Sequence, residues 1–164
     1  MEILNKKKHA VEKFNCGNEA LNRYLTVQAG QDMRKKLSVC FVLNDDYTRD
    51  LIGYYTLSSY SINADAIPNS LKVNAPRNYS RLPVTLLGRL AIDVKFQGKG
   101  LGEFVLMNAL ERAFDASIEI ASLAVIVDPV NKEAEDFYSQ YGFVKCKDGR
   151  QMMLSMKTIA SLLN

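Results

Sequence analysis

Between residues 84 and 114 the chain passes from an apolar run, through a glycine-spaced loop, into an amphipathic helical pattern. This block constrains the fold more than any other stretch. "VTLLGRLAIDV" (84–94) reads as a strand, and its interior Gly88 suggests a bulge or a close approach. "FQGKGLG" (96–102) then places Gly98, Gly100 and Gly102 at alternate positions. Leu101, Val105, Ala109 and Ala113, flanked by Leu106, Leu110 and Phe114, form one apolar helical face. With the apolar run at 120–128 as the next strand, the block is a βαβ unit, which requires a parallel strand pair.

The loop is neither of the two best-known phosphate motifs. GxxxxGK[ST] is absent, and GxGxxG fails because Glu103 follows Gly102. What remains is Gln97-x-x-Gly100-x-Gly102. Free N–H groups and the dipole at a helix N-terminus bind phosphate, glycines let it approach the backbone, and Lys99 offers a cation at the rim. A plain tight turn fits the loop by itself equally well.

The flanking pattern is that of a mixed α/β protein. Asn18 is an N-cap candidate for a helix whose Leu21, Leu25, Ala29 and Met33 recur at four-residue steps, ending near Lys35-Lys36. "SVCFVL" (38–43) and "LIGYYTLSSYSI" (51–62) read as a hairpin. Residues 63–83 hold three prolines and no period, and such long connections are often functional. The run 120–128 is a strand buried on both faces. Residues 131–141 form a helix closed by Gly142, "FVKCK" and "QMMLSMK" are short strands about the turn "DGR", and a short helix ends the chain.

Composition narrows the function. The 164 residues suit a single domain, 1–164, and 48% apolar with 24% charged residues excludes a disordered chain. No apolar run is long enough to span a bilayer, and "MEILNKKKHAVEKF" has no signal-peptide core, so a cytoplasmic protein is expected. Three scattered cysteines and one histidine argue against a disulfide framework, a metal site and a Ser-His-Asp triad. The net charge of +3 is mild, but cations cluster at Lys6–Lys8, at Arg34, Lys35 and Lys36, and at Arg77, Arg81 and Arg89. Taken singly, each cluster is first of all a solvated face.

A second motif shifts the balance at the glycine loop. "VDPVNKEAEDFYSQYGF" (127–143) carries Asn131, Ala134, Phe137, Tyr138, Gly142 and Phe143 in one window. With Gln97, Gly100 and Gly102 it resembles the GNAT superfamily of acetyl-CoA-dependent N-acetyltransferases. The resemblance implies a mostly antiparallel twisted sheet with one splayed parallel pair, flanked by helices. It implies that Gln97, Gly98, Lys99, Gly100, Leu101 and Gly102 hold the pyrophosphate of acetyl-CoA, and that Asn131 and Phe137 lie along its pantetheine arm. Leu90, Ala91 and Ile92 stand where that fold polarises the thioester carbonyl through backbone N–H groups. Tyr138, rather than Tyr141, is then the acid that protonates the leaving thiolate. No metal is implied, and no carboxylate stands out as a base, which a neutral amine hardly needs.

Three further stretches, 14–43, 53–62 and 82–93, resemble the GNAT toxins of bacterial type II toxin–antitoxin modules. That resemblance implies acetylation of the α-amine of an aminoacyl-tRNA, a block of translation, and a small antitoxin with a ribbon-helix-helix part. Relatives of this kind often dimerise. Arg34, Lys35, Lys36, Arg77, Arg81 and Arg89 become candidates for the tRNA phosphates, although Arg89 also fits a place in the core or beside the coenzyme. Two other readings stay open: a GNAT enzyme acting on a protein or small-molecule amine, and a non-catalytic module that binds coenzyme A or a partner.

Overall fold

In the computed structural model, residues 1–71 and 78–163 are described. Arg77 lies outside them. Among the described residues seven strands follow the hydrogen-bonded order β1-β2-β3-β4-β5-β7-β6. The chain forms two compact units, Met1–Ser58 with Leu87–Ala109, and Ser59–Leu86 with Leu110–Asn164. Strands β3 (Leu51–Asn63) and β4 (Arg81–Ile92) and helix α3 (Leu101–Glu119) each contribute to both.

The first unit begins with an element the sequence pattern did not reveal, a two-residue strand β1 (Glu2–Ile3) paired antiparallel with β2 (Val39–Asn44). Strand β2 also pairs antiparallel with β3 from Val39↔Leu57 to Asn44↔Leu51, the expected hairpin. The N-terminal helix is interrupted. Helix α1 (Glu19–Arg23) starts where the Asn18 side chain accepts from Leu21 N–H, then passes through a π-helical turn (Tyr24–Gln28) into α2 (Ala29–Arg34). The wide turn is supported locally. Thr26 donates its hydroxyl to the carbonyls of Asn22 and Arg23, and the Lys6 ammonium donates to the Thr26 carbonyl. Lys36 ends the helical segment with a left-handed φ of 59°. Leu25 and Ala29 are fully buried and share a core with Val11, Phe14, Val42 and Tyr54.

Interior Gly88 lies exposed within an unbroken β4. Gly53 on β3 is crowded. A Cβ there would stand 2.6 Å from Ile92 Cδ1 and 2.8 Å from the Ala91 carbonyl oxygen. The second neighbour is backbone and cannot rotate away. Gly53→Ala is therefore expected to cost about 1–3 kcal/mol, as overpacking does. A thermal unfolding curve unchanged from wild type would refute the crowding.

In the second unit β4 pairs parallel with β5 (Ala124–Val127) at Thr85↔Val125 and Leu86↔Ile126. That ladder ends there, while β4 runs on to Ile92. Strand β5 pairs antiparallel with β7 (Met152–Ser155), which pairs antiparallel with β6 (Val144–Lys145). The core here is formed by Ile62, Leu82, Val84, Ala124, Ile126 and Met153.

Several boundaries differ from the sequence reading, three of them for a visible reason. Strand β4 starts at Arg81 rather than 84 and takes Pro83 into the strand. Strand β5 begins at Ala124 rather than 120, because Leu123 spends its N–H on the Pro83 carbonyl and its carbonyl on Met156 N–H. The chain turns helical at Met156, since Ser155 Oγ caps Thr158 N–H, so α5 (Met156–Leu163) begins inside the expected last strand. Helix α4 (Lys132–Gln140) has the expected ends: Asn131 Oδ1 accepts from Ala134 N–H, and Gly142 follows with φ 86°. Among the described residues no helix is long and apolar enough to cross a membrane.

Candidate active site

The glycine loop turns on two left-handed residues with open space beside them. Gly98 and Gly100 adopt left-handed φ values of 72° and 74°, while a Cβ at either position would meet nothing within 4 Å. The backbone angle, not crowding, demands glycine there, since a side chain in that region costs about 1–2 kcal/mol. Helix α3 begins immediately afterwards at Leu101, and its first N–H groups have no acceptor one turn earlier. Gly102 lies within the helix and shows no positive φ. Lys99 is exposed at the rim, its ammonium 5.4 Å from the Phe96 ring centre.

Gln97 sits differently from a ligand-facing side chain. Its amide nitrogen donates to the carbonyls of Ile92 (2.8 Å) and Cys16 (3.1 Å), so the side chain braces the loop. Asp93, which sequence reasoning did not single out, completes this brace. It is 3% exposed. Its Oδ1 accepts from Lys95 N–H and its Oδ2 from Asn15 N–H, both at 2.9 Å, and its own N–H donates to the Ile52 carbonyl. Val94 N–H donates to the Asn15 carbonyl, and Asn15 Oδ1 in turn accepts from Gly17 N–H and the Asn22 amide. The segment leading into α1 is thus knotted to the end of β4 and the start of the glycine loop. On β4, Ala91 and Ile92 are buried and Leu90 is half-buried.

Arg89 lies over the Tyr24 ring, with Cζ 3.5 Å from its centre. The Tyr24 hydroxyl is held by Asp32 (3.0 Å) and Ser38 (3.1 Å), and desolvation by burial raises the phenol above its usual pKa. The two residues line a pocket of about 350 Å³ with Leu21, Arg23, Val27 and Gln28. Arg34, Lys35 and Lys36 are exposed at the end of α2. Lys6 joins Arg34 over Gly30, where a Cβ would be 3.3 Å from Lys6 Cε and 3.5 Å from Arg34 Nη1.

The second unit holds the other candidates. Asn131 is consumed as the α4 cap, so its side-chain oxygen serves the helix. Tyr138 is 8% exposed, its ring packed against Phe137 (centroids 5.3 Å) and Phe143 (5.2 Å). Burial pushes its phenol well above the ordinary tyrosine pKa. Among the described residues nothing hydrogen-bonds its hydroxyl, yet no fully buried side-chain polar atom lacks a partner. The exposed fraction of Tyr138 therefore includes the oxygen. Arg81 is committed within the protein: Nε donates to Ser61 Oγ, Nη1 to Asn63 Oδ1 and Nη2 to the Ser61 carbonyl. Among the described residues no group of His, Cys, Asp and Glu could hold a metal ion.

Residues 12–143 match the family model "Acetyltransferase (GNAT) family". A "tRNA-acetylating toxin" of Mycobacterium tuberculosis is 36% identical over 155 residues, which cover 93% of this chain and 90% of that protein. Among solved structures, AtaT complexed with acetyl-methionyl-tRNAfMet superposes with a TM-score of 0.90 at 30% identity, covering 99% of this chain and 98% of AtaT. A tyrosine-to-phenylalanine mutant of AtaT, bound to acetyl-CoA and the C-terminus of the antitoxin AtaR, gives 0.82 at 27% identity and covers 99% and 96%.

Proposed function

Because the chain belongs to the acetyltransferase (GNAT) family, we propose that it transfers the acetyl group of acetyl-CoA to the α-amine of an aminoacyl-tRNA and so blocks translation. The observation that carries this reading is the 36% identity, over 93% of the chain, to a tRNA-acetylating toxin. Acetyl-CoA supplies the activated acetyl group.

The residues divide the work. Gly98, Lys99, Gly100, Leu101 and Gly102 receive the pyrophosphate through backbone N–H groups, the helix dipole and one ammonium. Gln97 serves from behind, by fixing the loop. Backbone N–H groups of Leu90, Ala91 and Ile92 stabilise the oxyanion that forms when the amine attacks the thioester carbon. Removing one such donor typically costs about 3–4 kcal/mol of barrier. Asn131 holds the first turn of α4 in shape beside the pantetheine arm, and Phe137 packs along it. As the carbon–sulfur bond breaks, Tyr138 gives its proton to the sulfur, and the new amide loses its extra proton to solvent. A phenol raised by burial is a weak acid for a thiol of ordinary pKa, about 8.5. A thiolate expelled into the same dry surroundings is raised by the same desolvation, which narrows the mismatch.

Arg34, Lys35, Lys36 and Arg89 have donors to spare for tRNA phosphates. Arg81 is spent on Ser61 and Asn63. Phosphate contacts predict a steep salt dependence, and the KM for aminoacyl-tRNA is expected to rise strongly between about 50 and 200 mM salt. A flat response in initial-rate measurements would remove them. An antitoxin with a ribbon-helix-helix part is the protein partner, and a bacterial cytoplasm, where both substrates occur, is the place of action.

The decisive assay offers labelled acetyl-CoA with charged tRNA, discharged tRNA and total protein. Label only on charged tRNA supports the proposal. Label in protein or small amines replaces it with another amine acceptor, and coenzyme binding without transfer replaces it with a binding module.

A further inference from the structure

The pocket beside the π-helical turn is built from residues that take no part in the acetyl-transfer step itself. Arg89 is half-buried, with its guanidinium face-on to Tyr24. Arginine carries five N–H donors, and among the described residues none of those of Arg89 finds a hydrogen-bond acceptor or an acidic partner. Arg81, more exposed, has all three nitrogens engaged. A half-buried guanidinium without a partner bears a desolvation cost that a ligand would offset. Its geometry is also fixed from below, because Asp32 and Ser38 hold the Tyr24 hydroxyl and so prevent the ring from turning.

A guanidinium plane backed by an aromatic ring offers a flat, cationic stacking face with donors around its edge. Unstacked bases of single-stranded RNA are received on such planes. The pocket's volume, about 350 Å³, is at the small end of the range for ligand sites, enough for one nucleotide rather than a helix. Arg23 and Gln28 offer a charge and an amide at its edge, and Val27 an apolar wall. An apolar peptide does not suit two guanidinium groups in one small concavity.

We propose that this pocket seats the 3′-terminal nucleotide of the tRNA acceptor strand, its base stacked on the Arg89–Tyr24 pair and its phosphate met by Arg23. The proposal rests on the aminoacyl-tRNA reading and adds how the single-stranded end is gripped. Arg89 lies on β4 immediately before Leu90, Ala91 and Ile92. Seating the terminal base there brings the aminoacyl ester attached to its ribose to the strand assigned to the thioester carbonyl.

The test is a cycle that removes the base and the platform separately. Binding of uncharged tRNA ending in CCA and of the same tRNA lacking the terminal adenosine is measured for the wild type, Arg89→Lys and Tyr24→Phe. Wild type is expected to prefer the complete end by about tenfold, equivalent to about 1.4 kcal/mol and within the range of one base stack. Arg89→Lys keeps the charge, loses the plane, and should bind both tRNAs about equally. Tyr24→Phe keeps the ring and should retain most of the preference. Equal binding of both tRNAs by wild type, or a preference undiminished in Arg89→Lys, overturns the pocket assignment. Acetylation of charged tRNA by wild type, run in parallel, keeps that failure separate from a failure of the substrate reading.

Discussion

Tyr138→Phe is expected to slow acetyl transfer by about 10²–10⁴-fold, the usual contribution of a positioned general acid, while acetyl-CoA still binds as it does to wild type. The substitution removes one oxygen. The ring that packs against Phe137 and Phe143 stays, so neither α4 nor its cap should change. Single-turnover transfer rates and calorimetric titration with acetyl-CoA measure the two halves of this statement. A wild-type rate in the variant would dismiss Tyr138 as the acid. The sign of its pKa shift adds a second observable. Burial raises the phenol, so it keeps its proton above the ordinary tyrosine pKa of about 10, and an alkaline fall in rate due to Tyr138 belongs above that value, not below it.

Asp93→Ala is expected to have the largest effect on stability, together with a higher KM for acetyl-CoA. The carboxylate accepts from two backbone N–H groups, those of Asn15 and Lys95, at a position closed to water. Hydrogen bonds to a charged acceptor contribute about 1.5–3 kcal/mol each. Their loss is a large part of a typical stability of about 5–15 kcal/mol. Asp93→Asn guards against outright unfolding: its amide oxygen keeps one bond, while its NH₂ faces an N–H and loses the other. Thermal unfolding should rank wild type above Asn and Asn above Ala. The Asn variant should need more acetyl-CoA for half-maximal rate, because Asp93 anchors the start of the glycine loop. Wild-type melting and KM in both variants would show the knot to be incidental.

The parts of the molecule legible in the sequence are those whose causes are local. Asn18 and Asn131 precede helices and cap them, and Gly142 follows one. Gly98 and Gly100 mark a loop whose backbone angles need glycine, while its reading as a phosphate seat needed the second motif at 131–143. What escaped depends on distant partners. Asp93 binds a backbone N–H 78 residues away, and nothing near it in sequence marks it as buried. Gln97 matched a ligand-binding motif, but its amide is turned to carbonyls on β4 and at Cys16. Gly53 is a glycine forced by close approach that the sequence did not mark, since the crowding comes from β4. The run 120–123 looked like strand because it is apolar, but Leu123 spends its backbone groups on Pro83 and Met156.

The four-residue steps of Leu21, Leu25, Ala29 and Met33 have a mechanical meaning. In an α-helix each such step overshoots a full turn by about 40°, so three steps drift by about 120°. A π-helical turn takes up an extra residue per turn and absorbs part of that drift. Residues 24–28 thus act as a phase adjuster. An added residue is stored there as a bulge instead of being passed along the chain as rotation. Leu25 and Ala29 can both stay in the core, and the length of this segment becomes free to vary by one residue without re-aiming the arginine and lysines at its far end.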